Sequence, residues 1–382
     1  MAVNFPLLDD PSFRFLREPL ENSEFGLSFL HGRFASEDLL SWRDEARAFI
    51  AQQLLVEQTS VPPNVEFDEE EDFGDYVRRR LSFDSAPGIR VSAYLLVPKG
   101  LTAPAPAVVV LHDHGGMQYW GKEKVVEHRE PHPVLARFID GAYGGRPPAS
   151  ELAKRGYVTL VADNLFFGER RFRIEELAEF HGELGVFEPE SEAYIRAYNE
   201  IQFNRIEAEL AKAISYSGGT AAGICLRDDR AAVSVLSAMP EVDPQRIGCI
   251  GLSMGGHRSG WLGALDDRIK CAVVVCWMAR HREMVARRIA NIHWMWNVPG
   301  LYRAMDYPDV VSLCAPKPLM VIHGKRDTLF PERTGERAIE LVAGVYVKAG
   351  VPERFTPALY DSVHEFNAAM QADAYAWLDD RL

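Results

Sequence analysis

The chain has 382 residues, of which 47% are hydrophobic and 25% are charged. This composition is that of a folded globular protein, and it excludes a disordered or fibrous chain. There are 42 lysines and arginines against 55 aspartates and glutamates, so the formal net charge is −13. The sequence contains no lysine- and arginine-rich stretch that would form a basic patch. We expect no nucleic-acid partner, because a negatively charged phosphate backbone would be repelled.

The sequence predicts a cytoplasmic protein with no membrane span. The first twenty residues contain acidic residues and prolines where an export signal would have a basic start and an apolar run. The longest apolar runs fall short of the ~18 to 20 residues that cross a bilayer. The five cysteines include no CxxC pair, and this favours reduced, buried thiols.

A helical segment is expected near the start of the chain. Ser36 to Val56 has apolar residues near helical spacing, which predicts a helix within an N-terminal extension of residues 1–75. The acidic stretch Glu66 to Asp75 is expected to be a solvated surface loop. Two strand-like runs, Tyr76 to Phe83 and Ile89 to Val97, follow it, and turn residues between them predict a hairpin.

Residues 76–382 form the main predicted domain, in which continuous apolar runs alternate with helical stretches. This alternation predicts an α/β fold with a mostly parallel central sheet and helices on both faces. Between residues 163 and 228 the spacing breaks down, and the amphipathic stretch Glu190 to Ser215 predicts a cap-like insertion. The predicted strands are Ala107 to Leu111, Tyr157 to Ala162, Arg246 to Gly251, Ile269 to Cys276, Leu319 to His323 and Phe355 to Tyr360.

A candidate nucleophile lies in the segment Arg246 to Gly256, which reads RIGCIGLSMGG. A strand-like run enters the pattern G-x-S-x-G and a helical run follows, which is the setting of a nucleophile elbow. Small residues two positions before and after the serine let the strand and the helix pass closely. Ser253 is therefore the predicted nucleophile. The alternative is a chance match of the pattern in an ordinary turn.

A serine nucleophile needs a base, and the base needs a carboxylate to orient it. Asp327 lies in the loop after the apolar run that ends at His323, and His364 follows the last strand-like run. The order serine, acid, histidine is typical of such a triad, so we predict His364 as the base and Asp327 as its partner. An ordinary turn residue is the alternative for Asp327. Asp361 is a weaker candidate because it lies only three residues before the histidine.

An oxyanion hole needs two backbone N–H groups that face the developing negative charge. We predict the N–H of Met254, directly after the nucleophile, and that of His114, in the loop after the first central strand, with Gly115 as the alternative. The spacing His112-x-His114 also occurs in metal sites. However, the sequence shows no further histidine or carboxylate cluster to complete one, so we expect no metal and no cofactor.

Gly115, Trp277 and Trp294 are the candidate substrate contacts. Trp277 follows the strand after the elbow, and Trp294 lies in the aromatic-rich stretch Asn291 to Tyr302, so both are placed to line a pocket. Packing in the core is the alternative for each tryptophan. The sequence leaves open whether the chain forms a homo-oligomer.

These motifs resemble those of α/β-hydrolases of the dienelactone hydrolase and acetyl xylan esterase-like group, over about Tyr76 to Leu382. The resemblance implies a Ser–Asp–His hydrolase that cleaves a small-molecule carboxylic ester. Dienelactone hydrolases use a cysteine nucleophile, so Ser253 makes the lactone-opening members the poorer guide. The segments that carry the resemblance are HDHGG at 112–116, DDRAA at 228–232, PEVDP at 240–244, the Ser253 elbow, HGKRD at 323–327 and HEF at 364–366.

Other functional classes of protein also remain compatible with the sequence. A hydrolase of carbon–carbon bonds beside a ketone would use the same triad. A peptidase of the prolyl oligopeptidase kind shares the elbow, but it gates its site with a β-propeller, and the residues before Ile89 are too few and too helical for one. A scaffold with a closed pocket is the non-enzymatic alternative.

Overall fold

A computed structural model describes residues 11–13, 15, 25–58 and 61–382. The strands of this part of the chain are β1 (Glu66–Asp72), β2 (Tyr76–Ala86), β3 (Ile89–Pro98), β4 (Ala105–Leu111), β5 (Val158–Ala162), β6 (Val242–Leu252), β7 (Ile269–Val275), β8 (Leu319–Gly324) and β9 (Phe355–Tyr360). They form one sheet in the order β1-β2-β3-β5-β4-β6-β7-β8-β9. Each strand predicted from the sequence is present, with ends that differ by a few residues.

The sheet is mostly parallel, as predicted. Strands β5, β4, β6, β7, β8 and β9 run parallel to one another. The first three strands are antiparallel, and β3 joins the rest of the sheet by pairing antiparallel with β5. The predicted hairpin is therefore confirmed, and it extends the sheet at one edge.

The acidic stretch forms the edge strand β1, and the expectation of a surface loop was wrong. It pairs with β2 so that Glu70 lies opposite Arg79 and Glu71 opposite Arg78. The side chains of these pairs form ion pairs of 3.0 and 2.6 Å. Opposite charges directly across a strand pair favour pairing, so the arginines of β2 offset the acidic charge of β1.

Helices cover both faces of the sheet, which confirms the predicted layers. Successive residues of a strand point to opposite faces, and Val109 of β4 belongs to the core on one face while Val108 and Val110 belong to the core on the other. The α-helices of the described residues are α1 (Leu39–Leu54), α2 (Pro133–Tyr143), α3 (Pro148–Lys154), α4 (His181–Leu184), α5 (Glu192–Ile201), α6 (Glu207–Tyr216), α7 (Ala221–Ser237), α8 (Met254–Leu265), α9 (His281–Arg287), α10 (Tyr307–Ser312), α11 (Thr334–Lys348) and α12 (Ala368–Asp379).

The helix predicted near the start of the chain is α1. It buries Trp42, Ala46, Ile50 and Leu54 in the larger core, on the same face of the sheet as Val109. The indole Nε1 of Trp42 also donates a hydrogen bond of 2.8 Å to the carbonyl of Leu27. The N-terminal helix is thus part of the main hydrophobic core.

The predicted cap region has a small hydrophobic core of its own. Its members come from the turns and helices between β5 and α6, and they are Ile174, Phe180, Leu184, Tyr198 and Ile206. Helices α5 and α6 are joined by a π-helical turn, Gln202–Ile206. Helix α7, which follows, instead packs in the main core through Cys225 and Leu226. The limits 163–228 for the insertion stay a prediction.

Two further predictions concern thiols and membrane spans. All five cysteines are buried and free, as expected for reduced thiols. Within the described part of the chain, no helix combines the length and the apolar character that crossing a membrane requires.

Candidate active site

Ser253 occupies the turn between β6 and α8. Its φ of 58° and ψ of −118° are unusual for a residue with a side chain, so the turn is strained. Two backbone hydrogen bonds hold it: the N–H of Ser253 donates to Val275 O at 2.8 Å, and its carbonyl accepts from the N–H of His257 at 2.9 Å. The strand–turn–helix setting predicted for the elbow is confirmed.

The glycines of the elbow are required by close packing. A Cβ atom at Gly255 would overlap the carbonyl oxygen of Leu111 at the end of β4. A Cβ atom at Gly251 would lie 2.6 Å from the same oxygen and would also overlap the backbone of Gly255. Any larger side chain at either position would force α8 away from the sheet.

Asp327 and His364 form a hydrogen-bonded pair. They follow β8 and β9, whose parallel pairing places Gly324 beside Tyr360 and so brings the two loops together. The Nδ1–H of His364 donates to Asp327 Oδ2 at 2.6 Å, and Asp327 Oδ1 accepts from the N–H of Leu329 at 3.0 Å. The Asp327 side chain is fully buried, whereas that of His364 is 21% exposed. This bond leaves Nε2 of His364 free of a proton and able to act as a base.

The structure brings most of the predicted site residues to one cavity of about 560 Å³. The predicted site residues that line it are Ser253, Met254, His114, Gly115, Trp294 and His364. Asp327 lies behind His364, fully buried. A larger cavity of about 900 Å³ adjoins it and shares the side chains of Trp294 and Trp296 as a wall.

The structure places Trp277, a predicted substrate contact, in the core and not on the wall of this cavity. Its side chain is 1% exposed, and it lines neither of these cavities. The indole ring packs against the rings of His257, Trp296 and Tyr307, with centroids 4.6, 5.2 and 5.7 Å away. Core packing, the alternative considered for this residue, describes it.

The loop after β4, which carries the predicted oxyanion donor His114, is held in place by buried groups. Lys124 Nζ donates to the carbonyls of Asp113 and His114 at 2.5 and 3.0 Å. The hydroxyl of Tyr143 donates to Asp113 Oδ1 at 2.5 Å. Gly115 has φ of +59°, and a Cβ atom there would lie 2.5 Å from the ring of Phe138. The loop conformation therefore depends on glycine.

A carboxylate and a second histidine approach His114, contrary to the sequence expectation that nothing completes a cluster there. His114 Nε2 lies 3.1 Å from Glu207 Oε2, and His293 Nε2 lies 2.8 Å from Glu207 Oε1. Gln118 Nε2 also donates to Glu207 Oε2, at 3.1 Å. His112 is not part of this cluster, because its ring accepts a hydrogen bond from the N–H of Asn164.

The hydrogen bonds of this cluster fix the proton positions. Nδ1 of His114 accepts from the N–H of Gly116 at 2.9 Å, and Nδ1 of His293 accepts from the N–H of Met295 at 3.1 Å. Each ring therefore carries its proton on Nε2: that of His114 donates to Glu207 Oε2, and that of His293 lies 2.8 Å from Glu207 Oε1 without the alignment of a hydrogen bond. A metal-bound Nε2 would need the proton on Nδ1, so these contacts favour a hydrogen-bonded carboxylate over a metal site.

The same contacts set the charges of the cluster. Burial lowers the pKa of His114 to about 4, so this ring is neutral at pH 7. Burial alone would raise the pKa of Glu207, but its interactions with His293 and His114 lower that pKa well below its usual range. Glu207 is thus an ionised carboxylate in the wall of the cavity, and sequence reasoning missed it.

The model of the Abhydrolase family matches residues 16–376. A curated protein of Bacillus subtilis (strain 168), named "Putative hydrolase YtaP", is 27% identical over 290 residues, which is 76% of this chain and 83% of that protein.

Two solved structures share the fold. One, from Bacteroides fragilis NCTC 9343, is described as a "putative acetyl xylan esterase"; it has a TM-score of 0.70 and 19% identity, over 92% of this chain and 82% of that one. A glucuronoyl esterase from Teredinibacter turnerae T7901 has a TM-score of 0.63 and 15% identity, over 95% and 90% of the two chains. The strained elbow, the parallel sheet and the family match over nearly the whole chain show that this protein belongs to the Abhydrolase family, within the α/β-hydrolase superfamily.

Proposed function

We propose that this protein is a serine hydrolase that cleaves carboxylic esters through an acyl-enzyme on Ser253. The observation that carries the proposal is the hydrogen-bonded pair of His364 and Asp327, which opens onto the same cavity as the strained elbow of Ser253. A nucleophile at a tight turn, a histidine whose second nitrogen is bonded to a buried carboxylate, and a shared cavity are the elements of serine-dependent acyl transfer.

The proposed reaction has two steps. Ser253 Oγ attacks the ester carbonyl while His364 Nε2 takes the hydroxyl proton, and the alcohol then leaves with that proton. Water next attacks the acyl-enzyme with His364 again as base, and the carboxylic acid is released. Asp327 holds the imidazole ring and stabilises its charged form. The backbone N–H groups of Met254 and His114 are the proposed donors to the negatively charged oxygen of each tetrahedral intermediate.

The choice of an ester rather than another acyl substrate has two supports. The structures that share the fold include proteins named as esterases, of acetyl xylan and of glucuronoyl type. The elbow carries a serine, and the cavity beside it is mostly apolar and aromatic, with lining side chains that include Phe138, Phe203 and Phe330. Such a lining fits the uncharged carbon chain of an ester.

The test is the hydrolysis of p-nitrophenyl esters from acetate to decanoate. We expect turnover by the wild-type protein and a loss of about 10⁴-fold or more in kcat for Ser253→Ala. Ser217→Ala, at an exposed position after α6, is the control and should retain wild-type rates. Undiminished turnover by Ser253→Ala would refute the proposed nucleophile. Folded wild-type protein that cleaves no ester, but cleaves a ketone substrate, would instead identify a carbon–carbon hydrolase.

A further inference from the structure

Glu207 brings a negative charge to the cavity of Ser253. It is the first residue of α6 and follows the π-helical turn whose residues Phe203 and Asn204 also line that cavity. Its side chain is only 3% exposed. A carboxylate at this position is costly to bury, so its surroundings must stabilise the charged form.

The groups that stabilise Glu207 are neutral. His114 Nε2 and Gln118 Nε2 each donate to Glu207 Oε2 at 3.1 Å, and His293 Nε2 lies 2.8 Å from Oε1. Both histidines accept a backbone N–H on Nδ1, so each ring holds a single proton and no net charge. Hydrogen bonds from neutral donors keep the carboxylate ionised, but they do not cancel its charge.

No lysine or arginine is among the described residues that line this cavity. Lys124, a buried cation that holds the loop after β4, lies 3.8 Å from Asp113 Oδ2 and donates to the carbonyls of Asp113 and His114. Its charge is therefore offset by Asp113. Glu207 is left as a fixed negative charge with no cationic partner on the cavity wall.

We propose that Glu207 makes the site selective for esters that carry no negative charge, an inference that rests on the proposed esterase function. A carboxylate on the acyl chain would lose its hydration on entering a cavity without a cation, and it would meet the charge of Glu207 in a medium of low dielectric constant. The aromatic lining accepts the same chain when its end is uncharged. Glu207 is thus a specificity-determining residue contributed by the cap.

The first test compares two substrates that differ in one charge. These are p-nitrophenyl methyl adipate and p-nitrophenyl hydrogen adipate, whose acyl chains are long enough that the free carboxylate does not itself attack the ester. We expect the wild-type kcat/KM to be at least 100-fold lower for the hydrogen adipate at pH 7.5. Values within threefold of each other would overturn the inference, and this comparison needs no variant.

The second test assigns the selectivity to Glu207. In Glu207→Gln we expect the ratio of the two kcat/KM values to move at least tenfold towards the charged substrate. Glu209→Gln is the matched control, because Glu209 is on the same helix, is 63% exposed and does not line the cavity. An equal loss on both substrates in Glu207→Gln would mean that this residue only holds the loops in place, and it would overturn the assignment.

The outcomes separate this inference from the proposed function. If the folded wild-type protein cleaves neither adipate, the esterase proposal fails. If it cleaves both equally well, the esterase proposal stands and the selectivity is refuted. The ratio of two substrates measured on one preparation does not depend on the fraction of protein that is correctly folded, so a partly unfolded variant still gives a valid answer.

Discussion

Ser253, Asp327 and His364 come from three separate loops, and the parallel sheet explains why they converge. Each follows a strand of that sheet, β6, β8 and β9 respectively. Parallel strands end at the same edge, so the loops after them meet there. The orientation of the His364 ring then depends on its hydrogen bond of 2.6 Å to the Asp327 carboxylate.

Asp327→Asn should lower kcat by about 10³- to 10⁴-fold, because an amide group that donates to Nδ1 would force the histidine proton onto the other nitrogen. The measurement is the steady-state hydrolysis of a p-nitrophenyl ester, with circular dichroism to check the fold. Asp361→Asn is the control, since that side chain is 84% exposed and pairs with Arg326. Similar activity of the two variants would show that Asp327 is not the orienting carboxylate.

Sequence reasoning selected Ser253, Asp327 and His364, which the structure brings to one edge of the sheet, but it did not find the residues around Glu207. The three could be selected because a local motif marks the serine and the chain order restricts its proposed partners. Glu207 and His114 are 93 positions apart, and no local pattern distinguishes this glutamate from the exposed ones beside it. The position of Trp277 in the core could not be predicted for a related reason, because an aromatic residue after a strand fits a pocket or a core equally well.

At the scale of elements, strands β4, β5, β7 and β8 gave the clearest prediction because they are buried on both faces over most of their length. Their uninterrupted apolar runs are a strong signal, and the six predicted from β4 onward are all present. Strand β1 lacks that signal because its side chains are mostly exposed. A weaker signal was available: the acidic residues of β1 and the three arginines of β2, residues 78–80, face one another in the observed register.

The contact between α8 and β4 should be the part of the elbow that tolerates an added side-chain atom least. Gly255→Ala places a methyl group against Leu111 O, so we expect the free energy of unfolding to fall by about 3 kcal/mol or more. Gly141→Ala, in α2 with no atom near the added methyl group, should be neutral or stabilising by up to about 1 kcal/mol. Urea unfolding measures both. Equal stability of the two variants would contradict the close packing of the elbow.

At the scale of the whole molecule, the N-terminal part and the sheet domain share one core. Lys348 of α11 donates to the carbonyls of Phe29 and Phe34, at 2.5 and 2.7 Å. Trp42 and Phe29 pack against each other, with ring centroids 4.9 Å apart, in the same core as the sheet residues. The family match, which starts at residue 16, also includes this part. The N-terminal helix is therefore expected to unfold together with the sheet.

Asp309, a buried aspartate of α10, should make the stability of the folded protein depend on pH. Burial raises the pKa of Asp309 to about 7, above its value of 3.8 in an unfolded chain. The folded state thus binds a proton that the unfolded state releases, and the resulting stability is full below pH 4 and lost as the pH rises to 7. Asp309→Asn removes this dependence, so its stability relative to wild type should increase with pH by up to about 1.4 kcal/mol per unit between pH 5 and 7.

Urea unfolding of both proteins at pH 5, 6 and 7 measures this difference. Asp361→Asn, at an exposed position, should show no such trend. A stability difference between Asp309→Asn and wild type that stays constant over this range would show that Asp309 is ionised in the folded protein.

The central claim is that Ser253 is the nucleophile, and covalent labelling with a fluorophosphonate tests it most directly. The serine oxygen forms a bond to phosphorus as fluoride leaves, so mass spectrometry identifies the modified peptide. We predict one adduct, on the peptide that contains Ser253, formed at the same rate at which ester hydrolysis is lost, and no adduct in Ser253→Ala. Labelling of Ser253→Ala at the wild-type rate, or an adduct on another residue, would contradict the claim.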